Sequence, residues 1–455
     1  MDAWHVFEFV QAELFLFCAV FFCLGAIDDL GFDLTYAVQR LRGRIGRALP
    51  ASTLDHTRTL PGPFAIFVPA WQEAAVIEAT LKRIGHCIDD SVTVFVGCYP
   101  GDEATEAAVR RAMVQDNAIR LALNDRPGPT TKGDCLNAIW REMLSEENKR
   151  GTRFEAVVLH DAEDIMHSDE IVAHRAMLVD HPLSQLPVMP VVPRSSPWLA
   201  GHYAEEFAEA HLKELRVRQS IGAALPSAGV GCAIRRDYLD RRAREAVGGP
   251  FPAESLVEDY ELGLLLGGED GCGVLTLVTG RDGSLVATRA LFPTTLPAVV
   301  RQKSRWVAGI ALAGWDRLGW RAEPGEIWMR LHDRRSILAA LVTALSYAVF
   351  LLTVALSLAG FATGRAMAFP PPGWQPLLIV CLINLFYRMA VRAGFTWRMH
   401  GLRQAMMSIP RTFVANIVSI MASWRAVLLY ARYCVGGSLK WDKTAHGQAM
   451  DAAQA

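Results

Sequence analysis

Long apolar stretches lie at both ends of the sequence, whereas its middle alternates short apolar runs with segments of helical periodicity. Residues 14–27 carry no charge and, with the apolar residues just before them, reach roughly the 20 residues that a membrane-spanning helix needs. Residues 336–363 are also uncharged and long enough to span with some tilt. A third apolar block, 374–387, follows a proline-rich turn. The pattern predicts three membrane crossings.

A fourth apolar segment, 406–430, differs from the others because it contains Pro410, Arg411, Asn416 and Arg425. Arginine inside a spanning helix is costly, so we predict that this segment lies along the membrane surface. A fourth spanning helix with a functional arginine is the alternative.

Arginines flank the predicted spans, at positions 40, 42, 44, 47, 334, 335, 398 and 403. Basic residues beside membrane spans stay cytoplasmic, which places the N-terminus and the proline-rich turn outside and the large middle inside. The predicted order is an N-terminal membrane helix (1–39), a cytoplasmic domain (40–300), interfacial helices (301–335), two membrane helices (336–403), and a final interfacial helix with a cytoplasmic end (404–455).

Four apolar runs in the middle of the chain, 64–70, 92–97, 119–123 and 156–160, are separated by helix-like segments at 73–88, 104–115 and 135–144. This alternation predicts an α/β domain with a mostly parallel sheet and helices on both faces. Ligands of such sheets bind beyond the carboxyl ends of the strands. The polar residues that follow each run are therefore the candidate site.

Composition narrows the classes of protein. The 455 residues are 51% hydrophobic and carry 46 Lys and Arg against 47 Asp and Glu, a net charge of −1. Such a chain has enough apolar residues to fold and lacks the basic excess of a nucleic-acid-binding surface. The nine cysteines form no CxxC pair or zinc spacing, which favours a reduced compartment without disulfides. The sequence has no GxGxxG and no Walker motif, so a dinucleotide oxidoreductase or a P-loop ATPase is not supported.

Three carboxylates, Asp161, Glu163 and Asp164, directly follow the fourth run. They repel one another unless a cation is present. Mg²⁺ and Mn²⁺ prefer oxygen ligands and can share a nucleotide diphosphate, so few protein ligands are needed. A solvated acidic turn that caps the next helix is the alternative.

Two later segments carry further candidate chemistry. Glu258 and Asp259 lie in an acidic turn before a helix-like stretch, where a carboxylate can serve as a general base or can cap the helix. Gln302, Arg305 and Trp306 share one helical face. Arginine suits a phosphate and tryptophan suits a sugar ring, although a basic amphipathic helix on the membrane surface has the same pattern.

Together these residues resemble a known family. The chain carries, in this order, PAWQE, DAED, VED and QKSRW. This series is similar to that of the processive glycosyltransferases of the cellulose synthase and hyaluronan synthase type, in which a GT-A domain is fused to membrane helices. Longer strings, among them VPAWQE, VFVGCYPGD, RPGPTTKGDCLN and RQKSRWVAGI, resemble the NfrB-type phage-adsorption proteins over about residues 15–446.

The resemblance implies roles for the matching residues of the GT-A domain. The nucleotide would be bound by Glu73, Asp102, Lys132 and Asp161. Asp102 is displaced by a Tyr-Pro-Gly turn and matches least well. The metal, Mg²⁺ or Mn²⁺, would be held by Asp161, Glu163 and Asp164, with Glu163 in the second place of the D-x-D motif. The catalytic carboxylates would be Asp259, as the general base, and its neighbour Glu258.

The resemblance also implies an acceptor and diphosphate site at the membrane side. Its residues would be Gln302, Arg305, Trp306, Lys443, Thr444 and His446. The last three belong to a C-terminal cytoplasmic element that would close over the diphosphate, which requires segment 406–430 to be interfacial.

The predicted function is inverting, metal-dependent transfer from a UDP-sugar, with an N-acetylhexosamine suggested by the resemblance, into a secreted surface polysaccharide. The expected partners are the UDP-sugar donor, the polysaccharide acceptor, the lipid bilayer and an outer-membrane export partner, without nucleic acid. The expected location is the bacterial inner membrane, with the catalytic domain in the cytoplasm.

Two alternatives remain for the function. One is non-processive transfer of a single sugar to a lipid carrier. The other is a catalytically silent receptor scaffold, for which Glu163 in place of the usual second Asp is the sequence hint. Longer members of the family carry a C-terminal cyclic-di-GMP-binding domain, which this sequence of 455 residues is not expected to contain.

Overall fold

The computed structural model describes residues 3–54, 58–128, 130–267, 273–365, 369–370 and 373–436. Its strands are β1 (Leu49–Pro50), β2 (Phe64–Pro69), β3 (Val92–Cys98), β4 (Ile119–Leu123), β5 (Ala156–Leu159), β6 (Leu183–Gln185), β7 (Val188–Pro190), β8 (Cys232–Arg235), β9 (Val274–Leu275), β10 (Val278–Thr279) and β11 (Thr288–Ala290).

The helices of the α/β region and its flanks are α1 (Ala3–Leu41), α2 (Ala51–Leu54), α3 (Ile77–Gly85), α4 (Glu103–Gln115), α5 (Lys132–Arg150), α6 (Glu170–Met177), α7 (Gly201–Glu209), α8 (Leu215–Ser220), α9 (Arg236–Glu245) and α10 (Glu258–Leu266). A π-helical turn, Ala210–Glu214, joins α7 to α8.

The remaining helices are α11 (Leu296–Val307), α12 (Gly314–Leu318), α13 (Pro324–Arg334), α14 (Ser336–Thr363), α15 (Gln375–His400) and α16 (Leu402–Cys434). A second π-helical turn, Ala308–Ala313, lies between α11 and α12.

Seven strands form the central sheet, in the order β4-β3-β2-β5-β8-β6-β9. Strands β4, β3, β2 and β5 are parallel, and β6 is parallel to β9. Only β8 runs antiparallel to its neighbours, β5 and β6. The predicted α/β fold with a mostly parallel sheet is therefore confirmed. The four apolar runs of the sequence are the four parallel strands on one side of this sheet.

Successive residues of β2 point to opposite faces of the sheet, as the pleat requires. Ile66 and Val68 pack in a core with α3 and α4, whereas Ala65 and Phe67 pack in a second core with α5. Both cores exclude water, because the strand residues on each face are 0% exposed. Full burial of each large apolar side chain stabilises the fold by about 1.5–3 kcal/mol.

Caps at the strand-to-helix turns decide where two helices begin. The side chain of Asp102 caps α4 by accepting the N–H of Thr105 at 3.4 Å. Thr131 caps α5 through the N–H of Asp134 at 3.1 Å, so α5 starts three residues before the apolar pattern predicts. Such caps satisfy N–H groups that have no partner within the helix.

In the part of the chain that the structure describes, four helices are long and apolar enough to cross a membrane by length and composition, namely α1, α14, α15 and α16. The first three pack on one another through apolar side chains, with a core formed by Phe15, Cys18, Ala19, Val342 and Val349. The three crossings predicted from the sequence correspond to these three helices, and the number of crossings stays a prediction.

Helix α16 packs against α7 and α11 and also against the candidate membrane helices α14 and α15. Arg411 contacts Glu205 of α7 at 2.9 Å, Arg425 donates to Ser304 of α11 at 3.2 Å, and Tyr430 donates to a carboxylate of α12 at 2.5 Å. These contacts favour the interfacial placement over a fourth crossing, because a helix that leaves along the bilayer normal would not keep them. The interfacial placement remains a prediction.

Ion pairs join the membrane helices to the α/β domain. Asp29 of α1 pairs with Arg335 at 2.5 Å and with Arg388 of α15 at 3.1 Å. Asp33 of α1 pairs with Lys213 of the first π-helical turn at 2.7 Å. Asp29 and Asp33 of α1 therefore have cationic partners, and these pairs anchor the helix to three other segments.

We predict that Arg411→Met lowers the free energy of unfolding by about 3–5 kcal/mol, because it leaves the carboxylate of Glu205, itself 0% exposed, without a cation. Chemical denaturation of the protein in detergent measures this change. The matched control is Arg403→Met, on the exposed surface of the same helix, which should change stability little. The double variant Arg411→Met with Glu205→Leu should recover much of the loss, and an Arg411→Met protein as stable as wild type would contradict the prediction.

Candidate active site

A cavity lies at the carboxyl ends of the parallel strands, where the α/β fold places its ligands. Among the described residues, it is lined by most of those predicted from the sequence, namely Glu73, Lys132, Asp161, Glu163, Asp164, Glu258, Asp259, Gln302, Arg305 and Trp306. Asp102 is not in its lining. Lys443, Thr444 and His446 lie outside the described residues.

Asp102 shapes the turn that carries Glu73 into the cavity. Gln72 has a φ of 56°, in the left-handed region that non-glycine residues seldom adopt. Its N–H donates to Oδ2 of Asp102 at 2.5 Å, and the N–H of Glu73 donates to Thr105 Oγ1 at 2.9 Å. Both oxygens of Asp102 thus bind backbone N–H groups. This arrangement explains why Asp102, the predicted nucleotide contact that matched least well, does not reach the cavity.

Lys132 lies at the start of α5 among carboxylates. Its Nζ is 2.6 Å from Oδ1 of Asp161 and donates to the carbonyl of Gly229 at 3.3 Å. Burial alone would lower the pKa of Lys132, but the carboxylates of Asp161, Glu258 and Asp259 together raise it above its usual value. The ammonium therefore stays charged and supplies positive charge to an otherwise acidic site.

The acidic turn after β5 is not a solvated cap. Asp164 is only 2% exposed, and its Oδ2 accepts the N–H of Asp161 at 2.8 Å. Glu163 is 6% exposed, whereas the side chain of Asp161 keeps 36% exposure. Asp161 and Glu163 thus offer carboxylate oxygens to the cavity while Asp164 braces the turn.

A hard divalent cation fits this donor set in part. Across the described ranges, no group of three or more His, Cys, Asp and Glu side chains is arranged to hold a metal ion by itself. Asp161 and Glu163 supply oxygen donors of the kind that Mg²⁺ and Mn²⁺ prefer. The remaining ligand positions would have to come from a bound phosphate group or water.

Glu258 and Asp259 open α10 and line the same cavity. Oδ1 of Asp259 accepts the N–H of Tyr260 at 2.7 Å, which orients the carboxylate. Burial, together with the charge of Asp259, raises the pKa of Glu258 to about 7. Burial also raises the pKa of Asp259, against the opposing effect of Lys132. A carboxylate with a raised pKa is a stronger base than usual, as proton abstraction requires.

Helix α11 presents Gln302, Arg305 and Trp306 to the cavity, as their spacing predicted. Gln302 is oriented by Tyr203, whose hydroxyl donates to Oε1 at 2.7 Å. Tyr203 in turn stacks on Phe292 with ring centroids 4.4 Å apart. One wall of the cavity, formed by Phe207, Phe292 and Trp306, is therefore aromatic.

Sequence patterns did not single out several residues of this site. Phe207 of α7 and Phe292 of the segment after β11 line the cavity, and Tyr203 binds Gln302 from behind it. None of the three belongs to a motif. Gly229 has a φ of +73°, and any Cβ there would overlap Oδ2 of Asp259. The glycine pair in PSAGVG was the one available signal for this close approach.

Comparison with known families defines the class of the protein. Residues 61–309, more than half of the chain, match the model described as glycosyltransferase-like family 2. The chain therefore belongs to this family, and the prediction that it is a glycosyltransferase is confirmed at the level of class.

Individual relatives agree with this class. Bacteriophage adsorption protein B of Escherichia coli K12 and bacteriophage N4 adsorption protein B of Escherichia coli O157:H7 are each 28% identical over 453 residues. The match covers 94% of this chain but 61% of theirs, so the chain spans about three-fifths of their length. The resemblance to phage-adsorption proteins of this type is confirmed.

A solved structure supports the fold. The mannosyltransferase PcManGT from Pyrobaculum calidifontis, in complex with GDP-Man and Mn²⁺, matches with a TM-score of 0.54 and 16% identity. The match covers 90% of this chain and 99% of the mannosyltransferase. At this level of identity the likeness shows a shared GT-A fold.

We predict that Gly229→Ala destabilises the protein more than Gly222→Ala does. Both glycines have a left-handed φ, +73° and +75°, so both variants carry the same strain of about 1–2 kcal/mol. Only Gly229 adjoins another group, the carboxylate of Asp259, and overlap there costs a further ~1–3 kcal/mol. Thermal unfolding of the two variants measures the difference, and equal losses would show that Asp259 moves away freely.

Proposed function

We propose that this protein transfers a sugar from a UDP-sugar to an acceptor hydroxyl with inversion at the anomeric carbon. The observation that carries the proposal is the gathering of three groups in one cavity. These are the carboxylates of Asp161 and Glu163, the Lys132 ammonium and the base candidate Asp259. Each group suits one part of a glycosyl transfer, and the fold is that of a glycosyltransferase.

The donor would bind at the acidic and cationic end of the cavity. Lys132, held at the edge of α5, would neutralise a diphosphate oxygen, and Glu73 would contact the nucleoside. Asp161 and Glu163 would hold Mg²⁺ or Mn²⁺ together with the diphosphate. That cation would supply charge neutralisation for the departing UDP. The Mn²⁺ in the structural relative is consistent with this part of the proposal.

The acceptor would bind between Asp259 and the aromatic wall. Trp306 offers a flat face for a sugar ring, and Gln302 offers a hydrogen-bonding side chain. Asp259 would accept the proton of the acceptor hydroxyl. The oxygen of that hydroxyl would form the new bond to the anomeric carbon, while the bond from the anomeric carbon to the diphosphate oxygen breaks. One displacement inverts the configuration and needs no covalent sugar–enzyme intermediate.

The membrane helices define where this reaction would take place. The arginines beside the spans support an α/β domain on the cytoplasmic side, and the bacterial inner membrane is the location that we propose. A secreted surface polysaccharide, built from an N-acetylhexosamine and exported with an outer-membrane partner, is the product that we propose. The similarity to phage-adsorption proteins supports a role at the cell surface.

A second candidate function is transfer of one sugar to a lipid carrier. The specific observation in its favour is the apolar packing of α1, α14 and α15, whose shared core consists of side chains such as Phe15, Val342 and Val349. A passage for a polysaccharide needs a polar lining, whereas a lipid carrier approaches an enzyme from within the bilayer. Sizing of the radiolabelled product, as polymer or as lipid-linked monosaccharide, separates the two candidates.

We predict that Asp259→Asn lowers kcat by about 10²–10⁴-fold, because an amide cannot accept the acceptor proton. The measurement is UDP release by purified protein with Mn²⁺ and a panel of UDP-sugars. Donor binding, measured by calorimetry, should stay within a few-fold of wild type. The control variant is Asp237→Asn, a carboxylate on α9 that is 47% exposed. Equal turnover by wild type and Asp259→Asn would rule out Asp259 as the base.

We predict that kcat/KM falls as the pH is lowered. The midpoint of this fall should lie at a pH above about 3.9, which is the ordinary pKa of an aspartate. The base works only in its ionised form, and burial raises the pKa of Asp259, so protonation removes activity at a higher pH than usual. A pH profile of kcat/KM, with thermal unfolding followed over the same range, measures this. The Glu258→Gln variant should still show the fall of kcat/KM at low pH. Complete loss of this fall in the variant would identify Glu258 as the base.

A further inference from the structure

A column of buried charged and polar side chains lies beneath the acidic turn. His160, Glu170 and His174 are each 0% exposed, and Asp164 is 2% exposed. Burying ionisable groups is costly unless they are paired with one another. Neither the donor site nor the proposed base accounts for two histidines and a glutamate at this place.

A hydrogen bond to Glu170 and a longer ion-pair contact to Asp164 place His160 between the column and the turn. His160 Nε2 is 2.7 Å from Oε1 of Glu170, and His160 Nδ1 is 3.4 Å from Oδ2 of Asp164. The same Oδ2 of Asp164 accepts the N–H of Asp161 at 2.8 Å. His160 is therefore flanked by the carboxylates of Glu170 and Asp164. The carboxylate of Asp164 also binds the backbone of Asp161, whose side chain lines the cavity.

The other side of Glu170 is fixed as well. Its Oε2 accepts from Thr288 Oγ1 at 3.4 Å, and its Oε1 lies 3.6 Å from His174 Nε2. His174 is held in turn by Ser184 Oγ, at 2.9 Å from Nδ1. Thr288 of β11 thus holds Glu170, whereas His174 lies farther from it and is bound to Ser184 of β6. The link from Glu170 to Asp164 runs through His160.

We propose that His160 and Glu170 are positioning residues for the metal carboxylates, and that Asp164 is a brace of the turn rather than a metal ligand. Glu170 holds His160, His160 holds Asp164, and Asp164 fixes the backbone of Asp161. The turn then keeps Asp161 and Glu163 aimed into the cavity. This inference rests on the proposed function, because it assumes that these two carboxylates bind the cation of a nucleotide sugar.

The test is a double-mutant cycle on Mn²⁺ binding in the presence of UDP. The variants are His160→Gln, Asp164→Asn and the double variant, and calorimetry reads the affinity without any turnover. We expect each single change to weaken Mn²⁺ binding about tenfold. The double variant should be weakened about as much as either single one, because residues that act through one contact are not additive.

His174→Gln is the matched control. It removes a buried histidine of the same column that lies 3.6 Å from Glu170 and is bound to Ser184 rather than to the acidic turn. Thermal unfolding should show comparable losses of stability for His174→Gln and His160→Gln, while Mn²⁺ affinity changes less than threefold for His174→Gln. Equal losses of Mn²⁺ affinity in the two variants would show that the column has a purely structural role. That result would overturn the proposal.

Other outcomes separate this proposal from the proposed function. If Asp164→Asn abolishes Mn²⁺ binding while His160→Gln leaves it unchanged, or if the two effects multiply, Asp164 is a ligand and the positioning proposal is wrong. Absence of Mn²⁺ binding by the wild-type protein with UDP would overturn it too. The proposed function alone would be overturned if the double-mutant cycle on Mn²⁺ affinity gives the expected result but the wild-type protein transfers no sugar.

Discussion

The ion pair between Lys132 and Asp161 is the interaction on which the site depends. The carboxyl ends of parallel strands meet at one edge of the sheet, and this chain places five carboxylates there, on the DAED turn and at the start of α10. Without a cation in their midst these charges would repel one another in a buried setting. Lys132 supplies that cation from α5, at 2.6 Å from Asp161 and within the field of Glu258 and Asp259.

The same principle governs the contact between the α/β domain and the membrane helices. Charged side chains that leave water need partners, and here the partners come from different segments of the chain. Asp29 of α1 meets Arg335 and Arg388, and Arg411 of α16 meets Glu205 of α7. The pair of Arg411 and Glu205 also holds α7, which contributes Phe207 to the aromatic wall of the cavity, against α16.

The backbone of the site is held by side chains that do not enter it. Asp102 fixes the left-handed Gln72 and so directs Glu73, while Tyr203 orients Gln302 from behind. Gly229 leaves the space that Asp259 occupies. Residues of this kind carry no recognisable motif, because their task depends on what lies opposite them in space. They are nonetheless the residues whose replacement would move a group used in the proposed transfer.

Short-range pattern determined much of this protein. The sequence predicted the strands from the apolar runs that begin at residue 64, and the helices from the periodicity between these runs. It predicted the membrane spans from long apolar segments flanked by arginines. These predictions are possible because strand, helix and membrane span each have a period or length of their own. Tertiary structure decided the rest, since Asp102 lies outside the cavity lining and Asp164, although in the lining, binds the backbone of Asp161 and contacts His160. A linear motif records which residues stand side by side. It does not record which of two possible partners, backbone N–H or ligand, a carboxylate meets after folding.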